Sequence, residues 1–160
     1  MAKDVVIDTN IMVQSGDTGS KYHEQSRDFL YCVLGSSLEM CVDHGFDLGN
    51  AATTSSLIGY EYNRHLPIGS PGHAFLLQMI DSQRLKFVNR MPSAAVNRII
   101  SALPIKSPDK NFVRVAYNSK DRTLVSHDYQ DFTATNRKTI ATKLGVRVLD
   151  ASEYPCKTNP

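Results

Sequence analysis

No run in this chain approaches the ~18 consecutive apolar residues that a membrane-crossing helix needs. Cysteine is scarce: Cys32, Cys41 and Cys156 are odd in number, and none stands in a Cys-x-x-Cys pair. That spacing argues against a disulfide framework or a zinc knuckle and fits a reducing, intracellular setting. Net charge is small, +2 over 160 residues, too little to identify a nucleic-acid partner by itself. There is no internal repeat and no low-complexity segment. Met-Ala-Lys-Asp leads straight into a short strand pattern, which is not a signal peptide, so a cytoplasmic protein is expected.

What is present is the material of one ordinary domain, with 21% charged and 41% apolar residues and enough length to bury a single core. The charges are unevenly placed. Lys106, Lys110, Arg114, Lys120 and Arg122 cluster along the chain around Asp109, and Arg137, Lys138, Lys143 and Arg147 follow. Basic groups around an acidic centre suit a polyanion. Solvated helix surface is the plainer account of the same run.

Apolar patterning predicts a strand over 3–8, a loop over 14–20, and a helix carrying Phe29/Val33 and Leu30/Leu34 that ends at Gly35. A strand at 38–42 follows. Ile58, Tyr62 and Leu66 recur every four residues and predict a helix over 51–66, although Thr53-Thr54-Ser55-Ser56 is poor helix material. Further helices are expected at 71–80 and 92–103, with a strand at 84–88 between them. Ser107-Pro108-Asp109 reads as a helix start with Ser as N-cap. A strand at 123–126, a helix at 133–144 closed by Gly145 and a strand at 146–149 complete the order. This alternation predicts an α/β protein, three layers α/β/α around a mostly parallel sheet, spanning 1–150 with a tail at 151–160.

Four acids then stand out. Asp8 and Asp128 end apolar strands, and in open parallel sheets the functional crevice lies beyond the carboxyl ends of the strands. Asp109 opens a helix, and Glu61 lies among Ile58, Tyr60 and Tyr62. Each has an ordinary explanation. Asp109 suits a helix dipole, worth ~0.3–1 kcal/mol. Glu61 can pair with Arg64 or His65 on its own helix. Asp8 can form a turn, and Asp128 can cap the turn that leads to Asp131. Gathered together, however, carboxylates ~4 Å apart repel by roughly 4 kcal/mol per pair at an effective dielectric near 20. Protons or cations must then neutralise them. An all-oxygen set with no supporting Cys or His selects Mg²⁺ or Mn²⁺.

The motifs resemble those of the PIN-domain nucleases, a family defined by four acids in this chain order. Val5-Val6-Ile7-Asp8-Thr9-Asn10 resembles the first motif, and Leu57-Ile58-Gly59-Tyr60-Glu61-Tyr62 the helix with the family's Glu. Pro108-Asp109-Lys110-Asn111-Phe112-Val113 with Ala116 is similar to the third motif. Leu124-Val125-Ser126-His127-Asp128-Tyr129-Gln130-Asp131-Phe132 is similar to the fourth. The likeness spans 3–149. Asp43-His44-Gly45-Phe46-Asp47-Leu48 and the segment 67–106 exceed what the smallest toxin-type members carry.

The resemblance implies a metal-dependent ribonuclease. Asp8, Glu61, Asp109 and Asp128 would bind Mg²⁺ or Mn²⁺ and carry catalysis, with Asp131 auxiliary and Asn10 and Ser126 orienting the carboxylates. Lys110, Arg114, Lys120 and Arg122 are candidates for phosphate-backbone contacts. RNA is the substrate the resemblance favours; the residues alone do not separate it from DNA. Homodimers occur in the family, and the apolar segment 74–80 suits either an interface or the core. A protein inhibitor of antitoxin type is not readable from the chain. His44, His65 and His127 are given no role. Two alternatives stand beside the nuclease. One is a PIN-like scaffold that binds without turnover. The other is an Asp-nucleophile phosphotransfer enzyme, which wants an acid where Asn10 stands and a positioned lysine.

Overall fold

Five short apolar segments assemble into one sheet: β1 (Asp4–Ile7), β2 (Glu39–Asp43), β3 (Leu85–Val88), β4 (Thr123–Val125) and β5 (Arg147–Leu149). The computed structural model describes residues 3–48 and 54–156. Strand order is β3-β2-β1-β4-β5 and every pairing is parallel. All four residues of β1 are buried, as a central strand covered on both faces demands. Helices α1 (Thr9–Ser15), α2 (His23–Leu34), α3 (Leu57–His65), α4 (Pro71–Asp81), α5 (Ala94–Ser101), α6 (Ser107–Asn118) and α7 (Ala134–Leu144) flank it as an α/β/α sandwich. One group, α1, α2 and α4, packs together; a second joins α3, α5 and α6, with α6 also lying on β1, β2 and β4. Among the described residues no helix is long and apolar enough to cross a membrane.

The order of the strands creates the site. The chain leaves β1 toward β2 on one side, and β4 later arrives on the other, pairing Val6 with Leu124 and Ile7 with Val125. Crossovers therefore diverge between β1 and β4, and their carboxyl ends border the crevice that such a reversal opens. The first strand ends directly at Asp8, whose backbone N–H still bonds Val125 O at 2.9 Å.

Several elements differ from the sequence reading. The first helix was not expected at all. It exists because Ile11 and Met12 are buried between neighbouring helices, which outweighs the turn-forming Asp8-Thr9-Asn10. The helix expected over 51–66 starts only at Leu57; residues 51–53 lie outside the described part. Thr54 Oγ1 donates to Gly45 O at 2.9 Å, and the Ser56 hydroxyl accepts from Gly59 N. These short polar side chains bond backbone in place of joining the helix. At α6 the N-cap is Lys106, not Ser107, because Ser107 and Pro108 already take the first helical positions. At the far end of α7, Gly145 caps as expected with φ of +66°.

The expected tail is in part structured. Asp150 and Glu153 close a capping box around the 3₁₀ turn Ala151–Glu153, and Cys156 forms a disulfide with Cys32 of α2. This corrects the reading of the cysteines. The pair is 124 residues apart, so local spacing could not reveal it. The free-thiol argument for a reducing compartment falls with it; Cys41 alone is free, and buried. Within the segment 74–80, Phe75, Leu76 and Met79 belong to the core, whereas Leu77 and Ile80 face outward.

Candidate metal centre

A cleft of about 420 Å³ opens beyond β1 and β4, lined by Asp8, Thr9, Asn10, Glu61, Asp109 and Asp128 among others. All four acids singled out in the sequence border it, each delivered by a different element. Asp8 leaves β1 and opens α1; Glu61 is on α3, Asp109 in the first turn of α6, and Asp128 in the loop after β4.

Two small polar residues lock the strand ends together. Ser126 Oγ donates to Asp8 Oδ2 at 2.7 Å and accepts from the Asp128 N–H at 3.0 Å. Asn10 Nδ2 reaches Asp8 Oδ2 at 3.0 Å, and Asn10 Oδ1 accepts from the His127 N–H at 3.0 Å. Asn10 and Ser126, the two residues expected to orient the carboxylates, thus both donate to Asp8 Oδ2. Burial pushes the Asp8 carboxyl up to about 6; the Ser126 hydrogen bond opposes this and the Asp128 charge adds to it.

Asp109, Asp128 and Asp131 form the tightest group: each offers one carboxylate oxygen, all within 4.8 Å of one another. Burial, then the hydrogen bond to Asp131, then the charges of Asp8, Asp128 and Asp131 push the Asp109 carboxyl far above the carboxylate range. The Asp131 carboxyl is held low by that same bond. The two carboxyls therefore shift in opposite directions through one shared contact, Asp109 up and Asp131 down. Asp131 Oδ2 also accepts from the Lys106 N–H at 2.7 Å, and Asp128 Oδ1 from the N–H groups of Gln130 and Asp131, both at 3.0 Å. Asp128 borders the cleft while also capping its own turn.

Glu61 depends on longer supports. Its α3 neighbour Tyr62, fully buried, donates its hydroxyl to Ile7 O, the carbonyl just before Asp8. At the other end of the helix Asp43, at the close of β2, accepts from Leu57 N at 2.7 Å and Ile58 N at 3.2 Å and pairs with Arg90 at 3.1 Å. The Ser56 hydroxyl also donates to Asp43. Neither Tyr62 nor Asp43 was identified from the sequence. An acid ending β2 was the available signal for Asp43. Glu61 meets His65 Nε2 at 3.4 Å, the i,i+4 pair that the sequence allowed, and both line the cleft.

The expected phosphate-binding residues are scattered. Lys110 Nζ donates to Ser101 O at 2.7 Å, and Arg114 is engaged by Asn97, Asn111 and Ser101. Lys120 and Arg122 precede β4, at the sheet edge opposite the cleft, where Arg122 lies over the Tyr117 ring and bonds Leu144 O. Lys106 is the exposed lysine that does line the cleft.

His127 is part of the architecture. Its side chain is fully buried; Nδ1 lies 2.8 Å from Gln14 Oε1, while Nε2 accepts from the Ala151 N–H at 3.1 Å. Ser26 Oγ lies 3.3 Å from Nδ1 and Asp150 Oδ1 3.3 Å from Nε2; burial lowers the proton affinity of the ring, against the Asp150 carboxylate, which raises it.

The donor set fits a hard divalent cation. Every ligand atom is oxygen, the carboxylates ionise against one another, and space remains between them. A further sign comes from Thr9 Oγ1, on the lining residue next to Asp8. Among the described residues it is the buried side-chain polar atom left without a hydrogen-bond partner. No family model, curated protein or solved structure matches this chain.

Proposed function

We propose that this chain is a metal-dependent nuclease of PIN type that hydrolyses phosphodiester bonds in RNA. One observation carries the reading: Asp8, Glu61, Asp109 and Asp128, from four separate elements, line one cleft at the reversal of strand order. Carboxylates crowd there although their mutual charge is unfavourable, as the depressed ionisation of Asp8 and Asp109 records. Ion pairing offsets little of this charge: among the described residues the cleft is lined by one lysine, Lys106, and by His65, which pairs with Glu61 at 3.4 Å.

Asp109, Asp128 and Asp131 would hold Mg²⁺ or Mn²⁺, with Asp8 and Glu61 completing the anionic lining. When bound, such a cation supplies Lewis acidity toward phosphoryl oxygens and makes water more acidic at neutral pH. The chain's own residues do the rest. Ser126 and Asn10 hydrogen-bond the Asp8 carboxylate; Asp8 and Glu61 would accept a proton from a nucleophilic water, and the Lys106 ammonium would meet a phosphate oxygen. An Asp-nucleophile phosphotransfer site is less well supported. It wants an acid where Asn10 instead donates to Asp8, which leaves Oδ2 doubly occupied.

The purified protein should cleave a fluorescently labelled RNA when Mn²⁺ or Mg²⁺ is supplied. EDTA or Asp8→Asn should abolish this. Robust cleavage that survives both would sink the assignment. Absence of cleavage together with absence of heat on titrating Mn²⁺ would favour a scaffold without turnover.

A further inference from the structure

We infer that the Cys32–Cys156 disulfide is a redox lock on the metal centre: closed, it holds the Asp128 loop in its cation-binding arrangement, and its reduction weakens cation affinity. The inference rests on the metal-site reading of the cleft and on no choice of substrate. Asp128 stands between two residues anchored outside the cleft. On one side is His127, whose side chain is fully buried. From α2, Ser26 Oγ lies 3.3 Å from its Nδ1, and Tyr22, the N-cap of that helix, stacks on its ring at 4.6 Å. From the C-terminal segment, the Ala151 N–H donates to its Nε2 at 3.1 Å. On the other side, Tyr129 donates its hydroxyl to Asp150. The peptide around Asp128 is therefore clamped between α2 and the segment 150–156.

The bridge joins the two jaws of that clamp. Cys32 lies near the end of α2 and Cys156 closes the segment, their Cα atoms 6.0 Å apart. Beside it, the Phe29 and Tyr154 rings meet edge-on at 5.4 Å, and the Ala151–Glu153 turn rests on α2. Released at its far end, a short segment regains backbone freedom, and its hold on His127 and Tyr129 slackens. Both bridge cysteines are half-buried, within reach of a small dithiol, whereas Cys41 is sealed in β2 at 0% exposure.

Opening is a two-electron exchange with a dithiol. One reductant thiolate attacks a bridge sulfur, forming a mixed disulfide and expelling the other cysteine as thiolate. The second reductant thiol displaces the remaining cysteine and closes the reductant's own disulfide; the two cysteines take up the protons that the dithiol gave up. Coupling between two sites is reciprocal. A cation that binds the bridged form more tightly must therefore protect the bridge by the same factor.

The test equilibrates the full chain in mixtures of reduced and oxidised dithiothreitol, with EDTA or with saturating Mg²⁺, a cation that thiols bind poorly. Iodoacetamide under native conditions then counts free thiols by mass. Mg²⁺ should raise the ratio of reduced to oxidised dithiothreitol at half-opening about tenfold, and calorimetry should give the reduced protein a Kd for Mg²⁺ about tenfold above that of the bridged protein. The opened protein should gain two adducts, since Cys41 stays covered. Cys32→Ser combined with Cys156→Ser should show the weakened affinity without any dithiol and respond to none. Equal Kd in the bridged and reduced forms would overturn the lock and leave the metal centre standing. Three adducts would trace the effect to global unfolding and overturn the lock likewise. No heat of Mg²⁺ binding in either form would overturn the metal centre and the lock together, whereas the tenfold linkage without RNA cleavage would keep the lock and overturn the nuclease.

Discussion

Replacing Asp8 with Asn should make the metal-free protein more stable, which is the reverse of what removing a well-bonded buried residue usually does. Asp8 is 4% exposed and its carboxyl is raised from the ordinary 3.8 to about 6, chiefly by burial. A raised carboxyl favours the protonated form in the folded state. The associated stability is whole below the unfolded value of 3.8, is lost as pH climbs from there through about 6, and changes no further above it. At pH 8 the ionised side chain therefore costs about 3 kcal/mol, and near pH 4.5 only about 1 kcal/mol. Asn is neutral at both, and its amide oxygen can still accept from Ser126 and Asn10. Relief of the Asp8 charge on Asp109 acts in the same direction. Urea denaturation in EDTA should thus give Asp8→Asn an advantage of about 2–3 kcal/mol at pH 8 that shrinks toward pH 4.5. Adding Mn²⁺ should close most or all of that gap. Wild type gains about 2.7 kcal/mol at a hundredfold excess over Kd, whereas the variant gains little. A variant less stable than wild type at pH 8 in EDTA, or a gap that does not narrow with acid, would refute the electrostatic account of the cluster.

The supports of Glu61 give two further tests. Asp43→Ala removes the carboxylate partner of Arg90 and the acceptor of the Leu57 and Ile58 N–H groups, and should cost about 1–3 kcal/mol in urea denaturation while lowering Mn²⁺-dependent cleavage. Tyr62→Phe leaves Ile7 O without its donor and should cost about 1–2 kcal/mol by the same measurement, with Kd for Mn²⁺ raised because α3 is no longer tethered to β1. Reduction of the Cys32–Cys156 bridge, which closes a loop of 124 residues, should lower stability by up to about 4–5 kcal/mol; an unchanged unfolding midpoint in dithiothreitol would show the bridge contributes nothing.

How much of this was legible depended on whether the signal was local. Strands and helices whose faces repeat within a few residues could be read, and so could the acids that follow β1 and β4, Asp8 directly and Asp128 in the loop beyond Val125. The first helix could not, because Asp8-Thr9-Asn10 carries turn chemistry and the burial of Ile11 and Met12 comes from elements far along the chain. The basic run from Lys106 to Arg122 is continuous in sequence, yet α6 carries it from the cleft to the opposite edge of the sheet. Charges adjacent along the chain are therefore not adjacent in space. Asp43 and Tyr62 were missed for a related reason. Their work is to join α3 to strands, and a pairing between elements leaves no periodic trace. The Cys32–Cys156 bridge is the same case at its longest reach.

The placement of β1 between β2 and β4 also bears on when the site comes into being. During synthesis Asp8, Glu61 and Asp109 emerge first, but β1 finds its second neighbour only once Thr123–Val125 has left the ribosome. Until then Asp8 lacks its Val125 and Ser126 partners, and the Asp109 group lacks Asp128 and Asp131. A stalled or clipped chain that ends before β4 consequently cannot assemble the full set of acids around the cleft, whatever acids it carries. The fold acts as its own timer, withholding the complete carboxylate set until most of the polypeptide has been made.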